Sequence, residues 1–405
     1  MGALSHVRVL DLGRVLAAPW ATQILGDLGA EVIKIEKPGE GDETRHFGPP
    51  FLTTADGRQG DATYFLTANR NKKSVTIDFA KPQGAALVKR LARRAHIVVE
   101  NFKTGALAKY GLDYASLSAE NPALVYCSLT GFGHDGPYKD KAGYDYVIQG
   151  MGGLMSVTGQ KDGEPGAEPM KVGVAVSDLV SGLYTAIAIL AAIIHQAKTG
   201  EGQSIDMALF DCQAAALANQ ASNYLSGGMV PGRLGNAHPN IVPYQVFATR
   251  DGHLILATSN DNQFRRFAKV AGIEAVTRDP RFATNAARVA NRESVVALLQ
   301  PVFATRSTAQ WIDALEAANV PCGPINRVDQ VFSDPQAIAR SLTITMQHAA
   351  AGAMQLVASP LRLSRTPPEY RSAPPLLGEH NEAVLTSLLG LSAAELESLR
   401  KAGIV

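Results

Sequence analysis

The chain has 405 residues, 46% hydrophobic and 19% charged, with a formal net charge of +1 at neutral pH. That length exceeds what one hydrophobic core usually organises, so two domains are expected. The near-neutral balance excludes the strongly basic footprint of a nucleic-acid binder. The widely spaced Cys127, Cys212 and Cys322 match neither a disulfide framework nor a CxxC metal site. The opening MGALSHVRVLDL lacks the charged start and long apolar run of a secretory signal, and a cytoplasmic protein with reduced thiols is the expectation.

Taken in chain order, short apolar runs alternate with helical patterns. Val7–Leu10 reads as a strand, Pro19 as the first helical residue of AAPWATQILGDLG, and Glu31–Ile35 as a second strand. Pro82 opens the helix PQGAALVKRLARRA, followed by the strands HIVVE and LVYCSL. Strands alternating with helices imply βαβ units and a parallel sheet, hence an α/β fold. The apolar segment VGVAV leads into Asp178, and a helix then runs to about Ala197. Its stretch Leu179–Ile194 is short for a membrane span and reads as a buried core helix, with Gly200 as a C-terminal stop. A strand and helix occupy Ser204 to about Leu225, and the Gly- and Pro-dense 226–240 is a loop. Two strands flank the turn Arg250-Asp251-Gly252, and helices follow to about Ala318. A smaller α+β domain is placed at 225–330, and short strands and two amphipathic helices at the end of the chain.

The motif Gly131-Phe132-Gly133-His134-Asp135-Gly136 matches GxGxxG after a strand. Pro137 follows at once where a dinucleotide fingerprint must open a helix, so a turn is the better account. The nine histidines form no compact ligand cluster, so no metal site is expected. His238, beside Pro239, reads as a loop-ordering residue. Arg70, Lys72 and Lys73, with Lys37, Lys103 and Lys109 after strands, are either solvated surface or an anion site at the strand ends. Asp178 allows two readings. It is a helix N-cap, or it is a nucleophile kept ionised by the free N–H groups and positive dipole of a helix start.

Along essentially its whole length the chain resembles the class III CoA-transferases (CaiB/BaiF-like). The blocks are VLDLGRVLAAPWATQILGDLGAEVIKIEKPGEGDETR, NRNKKSVTIDFAKPQG, VENFKTGALAKYGLDY, SLTGFGHDGPY and AGYDYVIQGMGGLMSVTG, then KVGVAVSDLVSGLYTAIAILAA, KTGEGQSIDMALFD, GRLGNAHPNIVPYQVF, VPCGPIN and PLLGEH. The resemblance implies that Asp178 is the nucleophile, passing through a mixed anhydride and an aspartyl-CoA thioester, without metal or nucleotide cofactor. It implies that coenzyme A, as acyl-CoA substrate and product, is held by Val15, Leu16, Ala17, Lys37, Ile77, Asp78, Phe79, Ala80, Asn101, Phe102, Lys103, Lys109 and Tyr144. It further implies a Rossmann-like large domain, 1–197, completed by 345–405, with linkers at 198–224 and 331–344, in an interlocked homodimer. The partners are then small acyl-CoA and carboxylic acids, with no nucleic acid and no membrane.

The branch that looks most similar handles dicarboxylates with succinyl-CoA as donor. A second carboxylate needs a cationic partner, for which Arg14 and Arg45 are the candidates. Two rivals share the fold. A 2-methylacyl-CoA racemase needs a His in the block AGHD, and this chain has Tyr144, whose phenol ionises near pH 10 and is a poor base at neutral pH. A non-catalytic CoA-binding protein would have no use for a nucleophile at Asp178.

Overall fold

The structure is a computed structural model that describes Met1–Val405. In chain order the elements that matter for function are β1 (Arg8–Asp11), α1 (Ala17–Asp27), β2 (Glu31–Glu36), β3 (Lys72–Thr76), α2 (Pro82–Ala92), β4 (Ile97–Glu100), β5 (Val125–Thr130), α3 (Asp145–Met151), α4 (Val176–Thr199), β6 (Gln203–Ala208) and α5 (Leu209–Ala216). The six strands form one parallel sheet in the order β3-β2-β1-β4-β5-β6. Strand order reverses between β1 and β4, the place where open α/β sheets bind ligands at their carboxyl ends.

Alternate residues feed two cores, as the two-residue period of a strand requires. Leu10, Ile33, Val75, Val98 and Tyr126 pack with Leu87, Val88 and Leu91 of α2 and with Val384, Leu385 and Leu396 near the C-terminus. Val9, Val32, Ile97, Val99, Val125 and Cys127 pack with Leu25 of α1 and Ile189 and Ile193 of α4. Covering both faces is why these strands read as apolar runs.

Two compact units divide the chain. One comprises 1–154, 172–227 and 336–405, and the other 155–171 and 228–335. In the first, the tail joins the sheet region: Ser372 O accepts Asn71 N–H, Ser74 O accepts His380 N–H, and Ile404 O accepts Asp78 N–H. The stretch 203–225 carries β6, α5 and a further helix. The second unit holds an antiparallel sheet of Tyr244–Ala248, His253–Ala257 and Cys322–Gly323 over a core of Phe247, Phe264, Phe267, Phe303 and Trp311. His238 orders its loop, its Nδ1 accepting Asn240 N–H and its carbonyl accepting Arg292.

Some expectations change. VGVAV is irregular chain up to Ala175, and α1 begins two residues before Pro19. The α4 helix is long and apolar enough to cross a membrane, and half of its apolar stretch is buried inside the protein, in keeping with the expected core helix. Ser181, Gly182, Thr185 and Ile189 face the protein, while Leu183, Tyr184, Ile187 and Ile194 are exposed. The GFGHDG segment is a turn without a following helix, with Gly133 and Gly136 at positive φ.

Candidate active site

The α1 and α4 helices meet where Gly182 rests on the start of α1. A Cβ at Gly182 would lie 2.7 Å from Ala17 O and 3.2 Å from Trp20 Cβ, so only glycine permits this approach. Asp178 is one turn earlier on the same face of α4 and is therefore carried to the beginning of α1. It lines a hollow of about 360 Å³ together with Val15, Leu16, Ala17, Asn101, Phe102, Lys103, Tyr144 and Asp145.

That hollow shares Arg14, Glu43 and Phe102 with a second, of about 410 Å³, lined by Lys37 and by Ile77, Asp78, Phe79 and Ala80. The second shares Phe79 and Ala80 with a third, lined also by Lys81, Lys89 and Lys109. The Phe79 ring meets Phe102 and Tyr110 edge-on, at centroid distances of 5.7 and 5.6 Å. All thirteen positions expected to touch coenzyme A thus lie along this trail, which runs from Asp178 to a lysine-lined end. An extended molecule with phosphates at one end and a reactive thioester at the other suits that layout.

Asp178 is not the N-cap. Ala175 occupies that position without a side-chain bond, and Asp178 is the third residue of the helix. Asp145 performs the capping from outside. Its Oδ1 accepts the N–H groups of Ser177 at 2.8 Å and Asp178 at 3.3 Å. Gln149 holds Asp145 in place, donating to its Oδ2 at 2.7 Å while accepting Val172 N–H at 2.8 Å. The expectation that the helix start keeps Asp178 ionised is also corrected. Burial first, and the charge of Asp145 second, push its carboxyl up to about 7, with no cation among the causes.

The arginines expected to meet a second carboxylate are both engaged. Arg45 is 2% exposed, bonded to Glu36 and Asp61 and donating to Pro375 O, and it lines none of the three hollows. It is unavailable to substrate. Arg14 does line the hollow, but it pairs with Glu43 at 2.5 Å and sits over the Phe102 ring. The anion-site reading of Arg70, Lys72 and Lys73 fails for the same reason: they pair with Asp27, Asp11 and Glu31.

Three sets of residues escaped sequence reasoning. Lys139 and Lys141 line the Asp178 hollow within the polar run YKDK. Glu100, at the end of β4, accepts Phe102 N–H at 2.8 Å, and burial pushes its carboxyl up to about 7. A buried ionic array, Asp11, Lys34, Asp42 and Lys72, lies beneath the loop that follows β1. Asp11, Lys34 and Lys72 show in the sequence as charges within largely apolar strands, and Asp42 lies in the loop after β2.

Comparison with known proteins places this geometry in a family. The family model for CoA-transferase family III matches residues 4–381. The succinate–glutarate CoA-transferase of Agrobacterium fabrum is 51% identical over 385 residues, covering 95% of each chain. The human succinyl-CoA:glutarate CoA-transferase is 40% identical over 402 residues, covering 99% of this chain and 90% of the relative. The crystal structure of a CaiB/BaiF family protein from Brucella suis superposes with a TM-score of 0.83 at 49% identity, covering 96% of this chain and 99% of that one. The chain belongs to CoA-transferase family III.

Proposed function

We propose that the protein moves coenzyme A from succinyl-CoA to a dicarboxylic acid of about the size of glutarate, with Asp178 as nucleophile. The observation that carries this is a buried carboxyl without a cation at the end of the trail of hollows. The names of the relatives support the acid pair.

In the proposed sequence an ionised oxygen of Asp178 attacks the thioester carbonyl, the C–S bond breaks, and CoA leaves as thiolate. The thiolate attacks the Asp178 carbonyl carbon of the mixed anhydride and expels succinate, leaving an aspartyl-CoA thioester. The incoming acid repeats the two steps in reverse, so the thioester energy is conserved and each step is an acyl exchange. The start of α1 lines the hollow, and its positive dipole end would favour the negative oxygens that form. Lys109, with Lys81 and Lys89, would hold the phosphate end, while Lys37 lines the middle hollow and Lys103 the hollow of Asp178.

We also infer a cytoplasmic, interlocked homodimer. The exposed row of Leu183, Tyr184, Ile187 and Ile194 on α4, with Tyr146, Val147 and Met151 on α3, is a patch that a second copy would cover.

The test is an assay of succinyl-CoA against mono- and dicarboxylic acids, with the wild type and Asp178→Ala. Wild type should transfer CoA to glutarate, and Asp178→Ala should lose about 10⁴-fold or more in rate while CoA affinity measured by calorimetry changes little. A fully active Asp178→Ala protein would rule the mechanism out.

A further inference from the structure

Val15 is a β-branched residue at φ 67. The left-handed region is strained for such a residue and persists only where the surroundings impose it. Here they do so one atom at a time. Asp11 Oδ1 accepts Gly13 N–H at 2.8 Å, and Lys34 Nζ donates to Gly13 O at 2.8 Å. Asn101 engages both backbone groups of the next residue, its Oδ1 accepting Arg14 N–H and its Nδ2 donating to Arg14 O, each at 2.8 Å. Asp42 accepts Val15 N–H on both carboxylate oxygens, at 3.3 Å each.

The side chains that grip the loop are themselves fixed. Lys34 and Asp42 pair at 2.8 Å, each 1% exposed, and Thr44 donates its N–H and hydroxyl to Asp42. Lys72 pairs with Asp11 at 2.9 Å and donates to Pro19 O in the first turn of α1. Burying four charges this way gives little stability beyond what apolar residues of the same volume would give. The clamp therefore calls for another account. The loop it holds delivers Val15, Leu16 and Ala17 to the hollow that contains Asp178.

We propose that Asp42 and Lys34 are positioning residues for CoA transfer, which hold Val15 in the left-handed conformation so that the start of α1 faces Asp178. This rests on the transfer reaction proposed above. A purely structural array would set the folded fraction only. A positioning array sets the turnover of each folded site.

The experiment is a double-mutant cycle on the full-length protein, with Asp42→Asn and Val15→Gly, and with Val15→Pro as a third variant. Kinetics are normalised to folded sites, and backbone hydrogen exchange is followed over residues 13–20. Val15→Pro cannot adopt φ 67 and has no N–H for Asp42, so kcat should fall about 100-fold or more. Val15→Gly adopts φ 67 without strain and should lose less than about tenfold. Asp42→Asn should lower kcat about tenfold or more, shift the Kd for CoA by less than about threefold, and speed exchange over 13–20. In the Val15→Gly background the same Asp42→Asn change should cost measurably less, because less strain remains to be held. Near wild-type kcat in Val15→Pro, or strictly additive effects in the cycle, would overturn the proposal. Should Asp42→Asn fail to fold, the Val15→Pro against Val15→Gly contrast decides alone. A wild type that moves no CoA would instead overturn the reaction, and the exchange measurement would still report whether the clamp exists.

Discussion

Asp42 and Asp178 are both buried carboxyls at the carboxyl edge of one sheet, yet their surroundings drive them in opposite directions. Burial alone would raise both. At Asp42, Lys34 and the bonds from Thr44 overcome it and hold the group at about 2. At Asp178 the neighbour is Asp145, and the carboxyl rises to about 7. In one region cations pair with the carboxylate and fix a loop, and in the other the carboxyl is buried beside a second carboxylate with no cation paired to it. A perturbed pKa alone does not mark the reacting group, since ion-pair arrays also shift pKa values.

The comparison can be broken from either side. Lys72→Met leaves Asp11 buried without its partner and should cost about 3–5 kcal/mol of stability, read as a large drop in thermal midpoint. Asp178→Asn should do the opposite. An unfolded aspartate loses its proton near 3.8, while folded Asp178 keeps it up to about 7. The native state therefore binds the extra proton in that window, and stability falls as pH rises through it. Removing the charge should raise stability by on the order of 2 kcal/mol at pH 8 and change it little at pH 4, as thermal melts at the two pH values will show.

A smaller effect sharpens the contrast. With Asp178 required as the ionised form, the rate of transfer should fall tenfold per pH unit below about 7. Asp145→Asn removes the neighbouring charge but keeps an oxygen for the Ser177 and Asp178 amides, so the acid limb should move to lower pH, though burial keeps it above the ordinary carboxylate range. The smallest effect belongs to the exposed margin. Lys73→Gln breaks a part-exposed pair with Glu31 and should change stability by less than about 1 kcal/mol.

Much of the fold was legible because parallel strands buried on both faces and Pro82 at the first helical position leave strong local patterns. The assignment of 155–171 to the second unit left none. Asp178 as a residue came from the resemblance rather than from spacing, and its cap comes from Asp145, 33 residues away, which no local rule reveals. The basic cluster was ambiguous because Lys72 and its partner Asp11 are 61 residues apart. Which charges are neutralised depends on strand order, and strand order is the product of the whole sheet. Arg45 was a candidate for substrate for that reason, and its pairing with Glu36 and Asp61 withdraws it.

The central claim is that Asp178 becomes covalently attached to CoA. Incubating the protein with succinyl-CoA in the absence of acceptor, quenching with hydroxylamine and mapping peptides by mass spectrometry tests it directly. A hydroxamate on Asp178, absent in the Asp178→Ala protein, is the predicted result. Efficient CoA transfer with Asp178 unmodified, or with the label on another residue, would contradict it.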